Sequence, residues 1–163
     1  MKQAVIALGS NVGDTLANLR SAVDLLEQGG CEIKRISSLY ITEPWGYADQ
    51  DDFLNGAVLI ATDKDPYELL SLTQSIESEL GREKLFINGP RNIDLDILVY
   101  EGETVDAKTL TIPHPRIKER LFVLTPLNDV APDWDIPGMG KVASLFSAFA
   151  GEERVEFTKK KIR

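Results

Sequence analysis

One cysteine, Cys31, stands among 163 residues, so no intrachain disulfide can form and nothing points to an oxidising compartment. A lone histidine, His114, leaves no Cys/His zinc pattern. No apolar run reaches about 18 residues, which argues against a membrane span. The apolar stretch after Lys2 is too short for a secretory leader and ends in Gly9-Ser10-Asn11, a turn after a strand. Basic residues number 18 against 26 acidic ones, a formal charge of −8, so the footprint of general nucleic-acid binding is missing. There is no G-x-x-x-x-G-K-S/T loop and no protein-kinase signature, which excludes a P-loop nucleotidase or a protein kinase. Repeats and low-complexity linkers are also missing, so one domain over residues 1–163 is expected. These absences leave a cytoplasmic protein of small-molecule partners, with no nucleic acid, no membrane and no obligate protein partner in evidence.

What is present is regular. Residues 2–8 read as a buried strand and 15–28 as an amphipathic helix capped by Asp14, with Leu16, Leu19, Val23 and Leu26 at helical spacing. Residues 32–41 and 53–62 suit strands, separated by the polar loop 42–52. Asp65-Pro66 opens a second helix whose stripe is Leu69, Leu72, Thr73, Ile76 and Leu80, ended by Gly81. A polar loop over 82–92 leads into a strand over 93–100, then a turn at Glu101-Gly102-Glu103. A turn at Pro113-His114-Pro115, a short helix before 126 and a helix over 143–149 complete the pattern, and Lys159-Lys160-Lys161 reads as a solvated tail. Strand–helix–strand–strand–helix–strand predicts an α+β, ferredoxin-like β-α-β-β-α-β sandwich. Its sheet is mainly antiparallel, with helices on one face and extra C-terminal elements.

Asp94 and Asp96 carry the sharpest chemical signal. Two residues apart on a strand, they share a face with Cα atoms about 6.6 Å apart, while Ile93, Leu95 and Ile97 turn to the core. Paired carboxylates repel, and hard divalent cations relieve that repulsion. The same spacing serves two solvent-facing residues of a half-exposed sheet. Arg82 and Arg91 bracket the preceding loop, and guanidinium forks suit phosphate; a surface ion-pair network would use the same residues. His114 sits between prolines near Arg116 and Arg120, either as a donor to phosphate or as a plain turn residue. Gln74 and Glu77 share a helix face, which by spacing alone is an ordinary surface pair. Phe53, Phe122, Trp45, Tyr47 and Asn55 could hold a flat heterocycle between rings with an amide at its edge. Core packing is the simpler account of the two phenylalanines.

Taken in order, Gly9-Ser10-Asn11, Thr42 to Gly46, Phe53-Leu54-Asn55, Gln74-x-x-Glu77, Gly81-Arg82, Gly89-Pro90-Arg91-Asn92-Ile93-Asp94-Leu95-Asp96-Ile97, Pro113-His114, Arg120-x-Phe122 and Pro126-Leu127 resemble the 6-hydroxymethyl-7,8-dihydropterin pyrophosphokinases of folate biosynthesis, over about residues 4–136. The Gly-Pro-Arg-x-x-Asp-x-Asp-Ile block is the most specific part. The resemblance implies transfer of pyrophosphate from ATP to the pterin hydroxymethyl group, giving AMP. It implies two Mg²⁺ ions on Asp94 and Asp96, with Arg82 and Arg91 clamping phosphates beside them. Gln74, Glu77, Ile97, Thr111, His114 and Arg120 match ATP positions. Phe53 and Phe122 match the rings that sandwich the pterin, Asn55 its edge contact, and Thr42 and Trp45 backbone contacts; Asp94 also borders this substrate.

Relatives often carry tryptophan before the Gly-Pro-Arg block, where this chain has Asn88, and arginine where it has Lys84. The loops 42–52 and 82–92 are expected to order as ATP binds ahead of the pterin. Rival readings are another phosphotransferase on the same Asp pair, a non-catalytic ligand-binding domain, and an oligomeric scaffold.

Overall fold

The computed structural model describes residues 1–44, 49–81 and 92–163. The first half runs β1 (Lys2–Ser10), α1 (Thr15–Gln28), β2 (Glu32–Ile36), β3 (Tyr40–Thr42), β4 (Phe53–Thr62), α2 (Pro66–Glu79) and β5 (Asp94–Tyr100). Then come β6 (Val105–Asp106), β7 (Thr111–Ile112), α3 (Leu121–Val130), β8 (Asp135–Ile136), β9 (Gly140–Lys141), α4 (Val142–Ser147) and β10 (Val155–Phe157). Among the described residues the main sheet has six strands in the order β10-β3-β4-β1-β5, with β2 also on β4, and its pairs are antiparallel. Helices and an antiparallel sheet thus make a mixed α and β fold.

Helix starts follow the sequence signals. The Asp14 carboxylate accepts from Ala17 N–H at 3.1 Å. At α2, Asp65 and Glu68 form a reciprocal capping box, and Pro66 fills the first turn, where a missing N–H costs nothing.

The sheet sorts its side chains by the period of two. Ile6, Leu8, Leu54, Val58, Ile60, Leu95 and Ile97 pack with Leu19, Val23, Leu26, Leu69 and Ile76 of α1 and α2. Val5, Ala57, Leu59, Leu98 and Val99 pack instead with Val123, Leu124 and Leu127 of α3 and Val142 of α4. Helices therefore cover both faces, not one as the strand–helix order alone suggests. The extra layer comes from the C-terminal elements, whose weak periodicity hid their role.

Two irregularities shape the site. The single strand expected over 32–41 is two, because Ser37 breaks the ladder: its hydroxyl accepts from Ala57 N–H at 2.8 Å. On β5, Val5 pairs with Val99 but Ile6 with Ile97, so Leu98 is an extra, bulged residue. Its carbonyl turns out of the β1 ladder and accepts the His114 N–H at 2.8 Å.

Candidate active site

α3 and α4 cover only part of their face of the sheet. The remainder is the floor of a cleft of about 680 Å³, open mouth included, bordered by Thr42, Phe53, Asn55, Asp94, Asp96, His114, Arg120 and Phe122. The floor is low because small residues line it. Gly9 pairs with Asn55 on one side and Asp94 on the other, and Ala7 with Ala57 and Asp96. A Cβ on Gly9 would stand 2.6 Å from Asn55 Oδ1, so glycine is needed there for the amide to keep its position. Asn55 donates through Nδ2 to the Thr42 hydroxyl. Its carbonyl oxygen lies above Gly9, beside Phe53.

Asp94 and Asp96 are half-exposed and alternate with buried Leu95 and Ile97, the pattern expected of a β5 face. Glu77 corrects the surface-pair reading. It is buried, and its carboxylate accepts the Leu95 N–H at 2.9 Å, the amide between the two aspartates. Glu77 and Ile76 share the sheet-facing side of α2, whereas Gln74 is exposed. Spacing alone could not show that Glu77 reaches a strand backbone.

A second groove, about 660 Å³ with its open side, follows the outer edge of β5. Asp96, Ile97, Lys108, Thr111 and His114 border it. Edge position explains the mixture, since side chains from both faces of β5 meet there. His114 and Asp96 belong to both depressions and join them. Lys108 was not singled out in the sequence, because an isolated lysine in a loop carries no signal.

Burial holds the His114 imidazole below its ordinary value of 6.5, helped by the charges of Arg120 and Arg116 and opposed by Asp94. Its Nδ1 accepts the Arg116 N–H at 3.2 Å, so the neutral ring carries its proton on Nε2. Arg120 is likewise pushed down by burial and by Arg116, and held up by Asp96, Glu119 and Asp94. Its guanidinium carbon lies 5.7 Å from the centre of the Phe122 ring. Pro126 inside α3 offers no N–H to the Phe122 carbonyl one turn back.

Ser10, Asn18 and Asn92 form a network that the sequence reading missed. The Asn92 carbonyl accepts from the Ser10 hydroxyl and, at 2.9 Å, from the Asn18 amide. The Asn92 side chain donates to the Gly81 carbonyl at 2.7 Å. It ties the start of β5 to the ends of β1 and α2. Arg82, Arg91 and Trp45, with Tyr47, Lys84 and Asn88, lie outside the described residues, as do residues 45–48 of the expected 42–52 lid and all of the expected 82–92 lid but Asn92.

Comparison with known proteins gives a consistent result. The family model described as 7,8-dihydro-6-hydroxymethylpterin-pyrophosphokinase (HPPK) matches residues 5–132. A Bacillus subtilis protein named 2-amino-4-hydroxy-6-hydroxymethyldihydropteridine pyrophosphokinase is 52% identical over 128 residues, 78% of this chain and 77% of its own length. A Methylorubrum extorquens protein of the same name is 47% identical over 158 residues, 96% of this chain and 100% of its own. Among solved structures, Plasmodium falciparum HPPK-DHPS with pteroate superposes with a TM-score of 0.74 at 19% identity, over 90% of this chain. The chain spans 42% of that longer structure, and the likeness is one of fold.

Proposed function

The chain belongs to the 7,8-dihydro-6-hydroxymethylpterin-pyrophosphokinase family, and on that premise we propose its reaction, a step of folate biosynthesis. The hydroxymethyl oxygen of 6-hydroxymethyl-7,8-dihydropterin attacks the β-phosphorus of ATP. The bond from that phosphorus to the oxygen bridging the α- and β-phosphates breaks, AMP leaves with the oxygen, and the hydroxyl proton is lost. The observation that carries the reading is one cleft in which paired carboxylates face an aromatic and amide wall.

The carboxylates fit hard cations. No group of three or more His, Cys, Asp or Glu that could hold a metal occurs among the described residues, so Asp94 and Asp96 would share two Mg²⁺ ions with phosphate oxygens and water. Bound there, Mg²⁺ neutralises triphosphate charge and polarises phosphoryl oxygens. Glu77 holds α2 to β5 through the amide between the two carboxylates and so steadies their spacing. Neutral His114 presents Nε2–H as a donor, and the cationic Arg120 offers charge-assisted bonds to phosphate. We assign the groove along β5, with Ile97 and Thr111, and the neighbouring Gln74 and Glu77, to ATP. Phe53 and Phe122 would sandwich the pterin, with Asn55 reading its edge and Thr42 and Trp45 contributing backbone contacts. Arg82 and Arg91 keep the phosphate-clamp roles that the resemblance gives them. Most of the rate enhancement would come from positioning and fixed charge, as in other phosphoryl transfers.

The same reading makes the order β5-β1-β4-β2, with α1 and α2 on one face, a ferredoxin-like unit. β3, β10, α3 and α4 extend it within a single domain over 1–163. No described helix is long and apolar enough to cross a membrane; a cytoplasmic site belongs to the same proposal. Phosphorus NMR of a reaction with ATP, Mg²⁺ and the pterin tests the chemistry. Matched growth of AMP and a new diphosphate ester is expected; ADP and a monophosphate ester would contradict it.

A further inference from the structure

The strand β10 and the two residues leading into it lie beyond the span matched by the family model, which ends at residue 132. They nevertheless contact Thr42 and the immediate chain neighbours of Phe53 and Phe122. In one row across the sheet, Val155 pairs with Thr42, and Thr42 with Phe53. Arg154, at the head of that row, reaches both neighbours of these residues. Its backbone N–H donates to Glu43 Oε1 at 3.3 Å, and its guanidinium to Asp52 Oδ2 at 2.7 Å. The same guanidinium meets Glu156 at 3.2 Å, which fixes it from its own strand. One residue thus holds the position after Thr42 and the position before Phe53.

Glu153 acts on the opposite wall. α3 begins after Arg120 without a side-chain cap of its own. Glu153 Oε2 accepts the Leu121 N–H at 2.9 Å, the amide between Arg120 and Phe122. A carboxylate there satisfies a donor with no partner within the helix and meets the positive end of the helix dipole. Two adjacent residues of the C-terminal segment therefore bind, one on each side, the chain that carries Phe53 and the chain that carries Phe122.

We propose that Glu153 and Arg154 are positioning residues that set the gap between Phe53 and Phe122, and hence the affinity for the flat ring bound between them. The inference rests on the pterin reading of that wall. Neither residue lies on the β5 groove. Arg154 touches only the pterin wall, so its effect falls on the pterin; Glu153 also borders Arg120, so its effect falls first on the pterin and to a lesser degree on ATP.

The test is steady-state kinetics of the full chain, varying each substrate with the other saturating, for Arg154→Ala, Arg154→Lys, Glu153→Ala and Glu153→Gln. Arg154→Ala and Glu153→Ala are expected to raise the pterin KM roughly two- to fivefold, the factor an exposed ion pair or a cap is worth; the ATP KM is expected to stay unchanged in Arg154→Ala and to rise less than the pterin KM in Glu153→Ala. Arg154→Lys and Glu153→Gln, which keep a charge and an acceptor, should recover part of the loss. Asp52→Asn reads the Arg154 contact from its other end, should Arg154→Ala not fold. Wild-type pterin KM in both alanine variants, or equal rises for both substrates, would overturn the inference alone. A wild-type chain that makes no AMP with the pterin would overturn the reaction reading, and this inference with it.

Discussion

Gly9 shows how much of the site is decided by an atom that is not there. Its missing Cβ leaves room for the Asn55 amide, and with it the polar edge of the proposed ring site. Gly9→Ala is expected to raise the pterin KM at least severalfold with the melting temperature little changed, measured by kinetics beside thermal unfolding. The Asp pair was legible in the sequence because a period of two needs no tertiary information. The role of Gly9 was not, because it depends on a register between β1 and β4 that no local pattern encodes. His114 is the single histidine, so its NMR titration is unambiguous. In the apoprotein its midpoint should lie below 6.5, and Asp94→Asn should lower it further by removing the neighbour that raises it. The unfolded chain takes up this proton more readily than the folded one, so the His114 contribution is lost as pH falls through 6.5 towards the lower folded value and is constant above. A midpoint at or above 6.5 would contradict the buried, neutral ring.

At the scale of elements, local signals and tertiary context divide cleanly. The caps at Asp14 and Asp65, and Pro66 after the second, are readable because each helix end must satisfy its own amides with nearby residues. Asp65→Ala should cost about 1 kcal/mol of stability by denaturant unfolding, with catalysis at the cleft unaffected. The break between β2 and β3 was not readable, since it depends on Ser37 meeting Ala57 and on Gly56 giving way to Leu39. A Cβ at Gly56 would approach Leu39 Cδ2 to 2.7 Å. Gly56→Ala should destabilise the fold by about 1–3 kcal/mol through overpacking, read by the same unfolding method. β10 escaped notice for a related reason. Three residues at a sheet edge beside a basic tail carry no periodicity, and their strand character arises only from pairing with Tyr40–Thr42.

In the whole molecule, one face of the sheet is devoted to packing and the other is shared between packing and the cleft. The helix stripes of α1 and α2 predicted the first face, because burying them requires a partner surface. The third layer of α3 and α4 was not predicted; its apolar residues pack from short, irregular segments around Pro126 and the β8–β9 hairpin. That layer stops short of Gly9 and Asp94, and the candidate site lies in the uncovered remainder. The acidic chain, with a formal charge of −8, can bind a polyphosphate only where its charge is locally reversed. Arg116 and Arg120, beside neutral His114 and near Asp94 and Asp96, would be such a place if cations joined the carboxylates as proposed.

The central claim is that this carboxylate pair, holding Mg²⁺, drives a pterin-dependent reaction in that cleft. The most direct measurement is AMP release from ATP against Mg²⁺ concentration, with and without 6-hydroxymethyl-7,8-dihydropterin, in the wild type and in Asp96→Ala. AMP release that needs both Mg²⁺ and the pterin, and falls by at least about 10²-fold in a folded Asp96→Ala chain, is the predicted result. AMP release that ignores the pterin, or that survives in Asp96→Ala, would contradict it.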